Sequence, residues 1–227
     1  MALLGKAAVV IWCEVAPGML AEHDAWHSSE HLPERMGVPG FRRGRRAAAL
    51  GPNARQARFV LYEIDDLSVA TSAPYLERLN DPTPWSRKVM AECRLSRTLC
   101  RVAATHGTEI GRFMLAVRLA PRADRAEALQ QWLGATLAEL PGSPGVVAAH
   151  LLQKDAGTVR PFTEEERIRR GSADEAVDWV VLVEGNDEPA LQRLADGPLS
   201  PASLGAHGAA QGTGHAVYAL SQVATPG

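Results

Sequence analysis

Seven histidines occur in this 227-residue chain, and three of them, His23, His27 and His31, fall within nine residues. Their i, i+4, i+8 spacing makes one stripe of a helix, with Glu30 and Glu34 interleaved. At about 100° per residue these five side chains share an arc of roughly 100°. Imidazole titrates near working pH, so such a stripe suits general acid–base work. His31 is the first choice for the base or acid, His27 for an assisting or substrate-binding role, and Glu30 for orienting an imidazole or raising its basicity.

Two other readings compete for the same residues. His27-Ser-Ser-Glu30-His31 matches the H-x-x-E-H pattern of inverted zinc peptidases, in which two histidines one turn apart bind zinc and the glutamate activates water. The long peptidase domain and its distant third ligand are not evident, and three ligands along one helix rarely converge on one tetrahedral ion. No metal is therefore assigned. The plainer reading is a solvated face with His–Glu pairs at i+3 and i+4.

Further polar and aromatic candidates lie on predicted strands and loops. Arg42, Arg43, Arg45 and Arg46 fall on one strand, where alternation puts Arg43 and Arg45 on one face and Arg42 and Arg46 on the other. An arginine facing the helix, Arg43 by preference, could clamp a carboxylate or enolate, as Tyr62 could by donating to an oxyanion. Exposed edge arginines that discourage strand pairing are the alternative. Trp12, Trp26, Tyr62, Tyr75 and Trp85 are candidate pocket walls, with core packing as the default for any large aromatic. Trp85 follows a proline-rigid loop.

The elements that would position these residues repeat along the chain. Val38-Pro-Gly-Phe41 is echoed by Ser143-Pro-Gly-Val146, and Val60-Leu-Tyr-Glu63 by Val181-Leu-Val-Glu184. Pro74–Asp81 is echoed by Pro189–Asp196, identical at five of eight positions. Each half reads strand, helix, strand, strand, helix, strand. The helices are Met19–Met36 and Asp124–Leu140, the latter with Asp124 and Glu127 fitting a capping box, then Pro74–Asn80 and Pro189–Ala195. Extra residues between Gln153 and Asp178 hold Glu164, Glu165, Glu166, Arg167, Arg169 and Arg170, and read as a solvated excursion with a helical turn. Aligning the Pro-Gly turns at an offset of 105 sets His27 against Trp132, Glu30 against Ala135, His31 against Thr136 and Arg35 against Leu140. One half thus has a polar helix and the other an apolar one, which predicts one site, in the N-terminal half.

A βαββαβ unit is a ferredoxin-like antiparallel sheet with its helices on one face, and two such units in one chain can cover each other's open faces. At this point the chain resembles the dimeric α/β-barrel superfamily: EthD-like proteins, muconolactone-isomerase-like proteins and small cofactor-free monooxygenases. The resemblance covers nearly the whole chain as a pattern and is sharpest over Trp26–Arg35 and Val38–Phe41. It implies an α+β fold of two tandem ferredoxin-like units, residues 1–108 and 109–227, packed as a fused barrel. It also implies a small-molecule enzyme without organic cofactor: an isomerase, a cyclase, or an oxygenase that deprotonates a carbonyl or phenolic substrate. The alternative is a non-catalytic ligand-binding or stress-associated barrel with its histidines in solvent, and the third reading is a zinc hydrolase.

Composition narrows the setting. Lys plus Arg is 24 against 26 Asp plus Glu, which gives no general attraction to nucleic acid or an anionic membrane. No apolar run approaches the ~18 residues of a membrane helix. Three cysteines without a CxxC pair argue for reduced thiols, and with no leader pattern the expected location is cytoplasmic. There is no G-x-G-x-x-G after a strand, no P-loop and no haem CxxCH, so no cofactor is assigned. The expected partner is a small molecule, with the chain a monomeric fused barrel or a weak homo-oligomer.

Overall fold

The computed structural model describes residues 3–51, 57–169 and 177–227; Arg170 of the charged excursion lies outside them. Eight strands close into one antiparallel barrel: β1 (Ala7–Val15), β2 (Phe41–Ala49), β3 (Arg58–Ile64), β4 (Cys93–Gly107), β5 (Phe113–Leu119), β6 (Val146–Lys154), β7 (Trp179–Gly185) and β8 (Gly214–Ala224). The order around it is β1-β3-β2-β8-β5-β7-β6-β4. The first four strands therefore run β4-β1-β3-β2 and the last four β8-β5-β7-β6, joined edge to edge by β2–β8 and β4–β6 pairing. The likeness of the halves extends to irregularities: the β2–β3 register slips between Phe41 and Arg43, and the β6–β7 register between Val146 and Ala148.

The strands are buried on both faces because each separates two cores. Inward-pointing Val10, Trp12, Phe59, Leu61, Met114, Leu182 and Tyr218 fill the barrel, as an eight-stranded barrel requires. Outward-pointing Val9, Cys13, Val60 and Tyr62 pack beneath the helices of the first half, and Leu115, Val117, Val181 and Val183 beneath those of the second. At Gly40 and Gly145, which close the two Pro-Gly turns, φ is +93° and +84°. A Cβ at Gly40 would meet the Val69 side chain at 2.5 Å, so conformation and space both require glycine there.

The outer helices are α1 (Leu20–Trp26) and α2 (Leu32–Met36), joined by a π-helical turn over His27–His31, then α3 (Ala73–Asn80), α4 (Pro84–Ala91), α5 (Ala126–Glu139), α6 (Glu164–Ile168), α7 (Glu188–Asp196) and α8 (Pro201–His207). α4 and α8 are additional to the sequence expectation, and Trp85, which follows the proline-rigid loop, lies in the first turn of α4. α5 starts after Arg125 with no side-chain cap, so Asp124 and Glu127 form no capping box. Among the described residues no helix is long and apolar enough to cross a membrane.

Candidate functional site

Helix α1, the π-turn and α2 form one continuous rod on the outer face of β1–β4. Asp24 ties it down: its carboxylate takes two bonds from Arg58, at 2.8 and 2.6 Å, and its carbonyl accepts from Arg46 at 2.9 Å. The π-turn is marked by the Leu32 N–H donating to the His27 carbonyl, five residues back. Such wide turns act as single-residue insertions in an α-helix and occur often at functional sites. Pro33 follows directly; it has no N–H to continue the ladder, and in a regular α-helix its ring would press on the carbonyl four residues back.

This geometry turns the three histidines inward. His23, His27 and His31 are 2%, 2% and 6% exposed, which overturns the solvated-face reading. The His23 and His27 rings stack at 5.9 Å and His27 and His31 lie 5.7 Å apart, with the Trp26 ring 4.4 Å from His31. His27 Nε2 lies 3.3 Å from the Tyr62 hydroxyl. Burial, with Arg46 second, lowers the His27 pKa to about 3. Burial, with Arg35 second, pushes His31 well below its usual value. Burial likewise raises the Tyr62 phenol. Both imidazoles are therefore neutral at physiological pH, and Nδ1 of each has no hydrogen-bond partner.

His31 lines a cavity of about 510 Å³ between the rod, β1, β3, β4 and the segment around α6, within the range of small-molecule sites. Ile11, Leu79, Leu95 and Phe162 supply apolar wall; Tyr62, Tyr75, Arg35, Arg97, Glu165 and Arg169 supply polar groups. A smaller void of about 30 Å³ lies behind His31, against His27, Trp26, Cys13 and Cys93, and shares the Tyr62 wall. The charged excursion of the second half is the roof. A capping box between Thr163 and Glu166 starts α6, Asn80 accepts from the Glu164 N–H at 3.1 Å, and Arg87 reaches Glu164 at 2.6 Å. Glu165, 3% exposed, pairs with Arg35 and lies 3.2 Å from Arg169. Thr163 and Glu165 of the excursion are thus packed down, while Val159 and Phe162 stay exposed.

Several sequence candidates are placed elsewhere. Glu30 touches no imidazole: its carboxylate accepts from Trp26 Nε1 at 3.2 Å, Thr83 at 2.6 Å and Ser86 at 2.8 Å, fastening the rod to α4. The carboxylate beside His31 is Glu34, 3.9 Å from Nδ1. Trp12 points into the barrel against Phe59, because alternation along β1 aims Ile11 and Cys13, not Trp12, at the rod. Arg43 also faces inward, bonded to Glu63 at 2.7 Å. Arg42 is exposed against Asp65. Trp85 lies on α4 and donates to Glu22 at 3.0 Å, outside both cavities. Trp26 borders the small void only. Among the described residues no group of three or more His, Cys, Asp or Glu side chains is arranged to hold a metal ion. The sequence reading did not select Arg35, Arg97, Arg169 or Glu165 as site residues; their signal was the polar Arg35 against Leu140 and the charges of the excursion.

The alignment of the halves also changes. The buried stripe of α5 is Leu129, Leu133 and Leu137, each 106 residues after His23, His27 and His31, whereas Leu140 follows Arg35 by 105. The π-turn is the extra residue. His27 corresponds to Leu133, not to Trp132, which instead stacks on His207 of α8 at 3.9 Å.

No family model and no curated protein matches the chain. Solved structures do. An anthrone oxidase-like protein aligns with 100% of this chain and 96% of its own length, with a TM-score of 0.67 at 13% identity. A protein described as a candidate monooxygenase from Fusobacterium nucleatum covers 99% and 97%, with a TM-score of 0.62 at 9% identity. Another, from Lactobacillus acidophilus, covers 97% and 96%, with a TM-score of 0.56 at 10% identity. The shared property is the fold. It is the ferredoxin-like barrel, over the full chain, and identities this low establish nothing further.

Proposed function

We propose that this chain is a small-molecule enzyme of the cofactor-free oxygenase or isomerase type, with its site in the cavity beneath the His23–Arg35 rod. The observation that carries the reading is a neutral, buried His31 on the wall of a pocket that also presents guanidinium groups. His31 takes a proton from an acidic C–H or a phenolic O–H of the bound compound. The enolate or phenolate so formed is electron-rich and is met by the charge of Arg35. Returning the proton to another carbon gives isomerisation. Reaction of the anion with dioxygen gives oxygenation, a CH₂ becoming C=O while the second oxygen atom leaves as water. The names of the fold neighbours, anthrone oxidase-like and monooxygenase, belong to this second chemistry and support it as the first to be tried.

The purely binding alternative expects histidines in solvent; their burial at the pocket favours catalysis. The reading assigns the site to the half spanning 1–108, with 109–227 as support that lends the roof. Closure of the barrel uses the edges of both four-stranded sheets, which supports a monomer. The three cysteines are free and buried, in keeping with a cytoplasmic protein.

The test is oxygen uptake and hydrogen–deuterium exchange with a panel of anthrones, naphthols and cyclic 1,3-diketones. His31→Gln should keep ligand binding and the melting temperature while lowering turnover ~100-fold or more. Undiminished turnover in that variant removes His31 from the chemistry.

A further inference from the structure

The charge on the pocket is one-sided. Five arginines, Arg35, Arg97, Arg160, Arg167 and Arg169, line it against two glutamates, Glu165 and Glu166. Arg35 and Arg169 pair with Glu165, Arg160 with Glu166 and Arg167 with Glu164, but these pairs leave donors over. Arg97 donates to the Tyr75 hydroxyl at 3.1 Å, a neutral acceptor. Arg160 Nη1 and Arg169 Nε are buried with no hydrogen-bond partner. Buried guanidinium N–H groups left unpaired are costly, and a carboxylate is the acceptor whose planar pair of oxygens fits them. The structure displays that fit: Glu165 places one oxygen on Arg35 and the other on Arg169, inside the pocket, at the end of a short segment contributed by the other half. Tyr75 completes a planar, apolar floor, its ring 5.6 Å beneath the Arg35 guanidinium.

We propose that this pocket recognises a carboxylate-bearing aromatic or enolic compound, and that Glu165 is the chain's own carboxylate on Arg169, one of the guanidinium groups that would receive it. The ligand's ring lies over Tyr75 and against Leu95. Its carboxylate is received by Arg97 and by the free N–H groups of Arg169 and Arg160. Its phenolic or enolic edge is turned toward His31. Glu165 tunes the site: it neutralises Arg35 and Arg169 and so sets how strongly an incoming anion is held. This deepens the proposed function and rests on the cavity's being the substrate site.

The experiment compares 1-hydroxy-2-naphthoate with 1-naphthol, which differ by the carboxylate, in calorimetric titrations of the full chain at low and moderate salt. The naphthoate should bind at least tenfold more tightly, with an advantage that shrinks as salt rises. Arg97→Met should remove most of that advantage while changing naphthol binding less than twofold; Arg97→Lys, which keeps the charge and loses the fork, should fall between. Glu165→Gln should tighten the naphthoate severalfold. Should Glu165→Gln loosen the roof and unfold the segment, both ligands would weaken together, and the Arg97 pair alone then decides. Equal affinities of the two ligands, no binding of either at millimolar concentration, or a parallel loss of both in Arg97→Met would overturn the proposal. Hydrogen–deuterium exchange of the bound compound, compared in wild type and His31→Gln, reports the proton-transfer reading separately. Carboxylate-selective binding without His31-dependent exchange leaves anion recognition standing and removes the catalysis.

Discussion

His27 has exchanged water for the Tyr62 hydroxyl and three neighbouring rings, and the cost appears in its affinity for protons. Folded, its pKa is about 3; unfolded, it is near 6.5. His23 and His31 shift in the same direction, burial being the largest cause in each. Between the two values the unfolded chain binds more protons, so stability rises with pH there. It is fully present above about 6.5 and is lost as pH falls toward the folded values. Carboxylates add to this at lower pH: for Glu184, Arg45 and His150 overcome desolvation and hold the pKa at about 2. Glu34, raised by burial, acts in the opposite sense above the usual carboxylate range. The histidines act over the window below about pH 6.5, with Glu34 opposing them at its lower end. His27→Leu, which copies Leu133 of the other half, should flatten the slope there by up to about 1.4 kcal/mol per pH unit, the value for one proton. Urea midpoints from pH 5 to 7 provide the check. Equal slopes in both proteins would show that His27 titrates normally and is not sealed from solvent.

At the scale of elements, the rod explains both what the sequence disclosed and what it hid. The i, i+4, i+8 spacing correctly joined the three histidines in one stripe. It could not add Arg35. Twelve residues separate His23 from Arg35, about 1,200° of α-helix, which is ~120° beyond whole turns. Periodicity therefore puts Arg35 off the stripe and Glu30 on it. The π-turn absorbs the surplus, bringing Arg35 into the pocket and turning Glu30 toward α4. Its counterpart Leu129–Leu140 spans eleven residues, about 1,100°, within ~20° of three turns, and needs no such device. The same missing residue shifted the alignment of the halves by one and paired His27 with the wrong partner. Deleting the exposed Ser29 should straighten the helix and swing His23 and His27 off the sheet. The expected loss is roughly 2 kcal/mol, or about 4–8 °C in Tm for a chain of this size, together with the loss of ligand binding. Ser29→Ala should stay within about 0.5 kcal/mol. A deletion variant that melts like wild type would show that the turn is incidental.

For the whole molecule, the echoed segments made the barrel legible, because β-rich runs and Pro-Gly turns recur in the same order. The roof was not legible: a run of Glu and Arg has the same composition whether its charges meet water or distant counter-charges, and Arg35 and Glu165 are 130 residues apart. The barrel interior holds a second contact of this long-range kind. Arg45, 0% exposed, lies 3.1 Å from Glu63 of the first half and donates Nη1 to both oxygens of Glu184 of the second at 2.8 Å. The two carboxylates occupy echoed positions and each accepts one backbone N–H, from Leu4 at 2.8 Å and Gly111 at 3.0 Å; His150 completes Glu184 at 3.2 Å. Arg45 thus bridges the two sheets, between Glu63, which Arg43 also holds, and Glu184. Arg45→Met leaves Glu63 to Arg43 but takes the guanidinium from Glu184, an uncompensated buried charge costing ~3–5 kcal/mol. Glu184→Leu alone leaves Arg45 with Glu63 only and removes the acceptor of the Gly111 N–H. Arg45→Met with Glu184→Leu removes the charge imbalance, so its cost should fall short of the summed single losses by ~1 kcal/mol or more. Urea unfolding of the three variants measures this, with the slope of each transition showing whether both sheets still unfold together. Strictly additive losses would mean that Arg45 and Glu184 are not energetically joined, and that the halves are held by strand pairing and apolar packing alone.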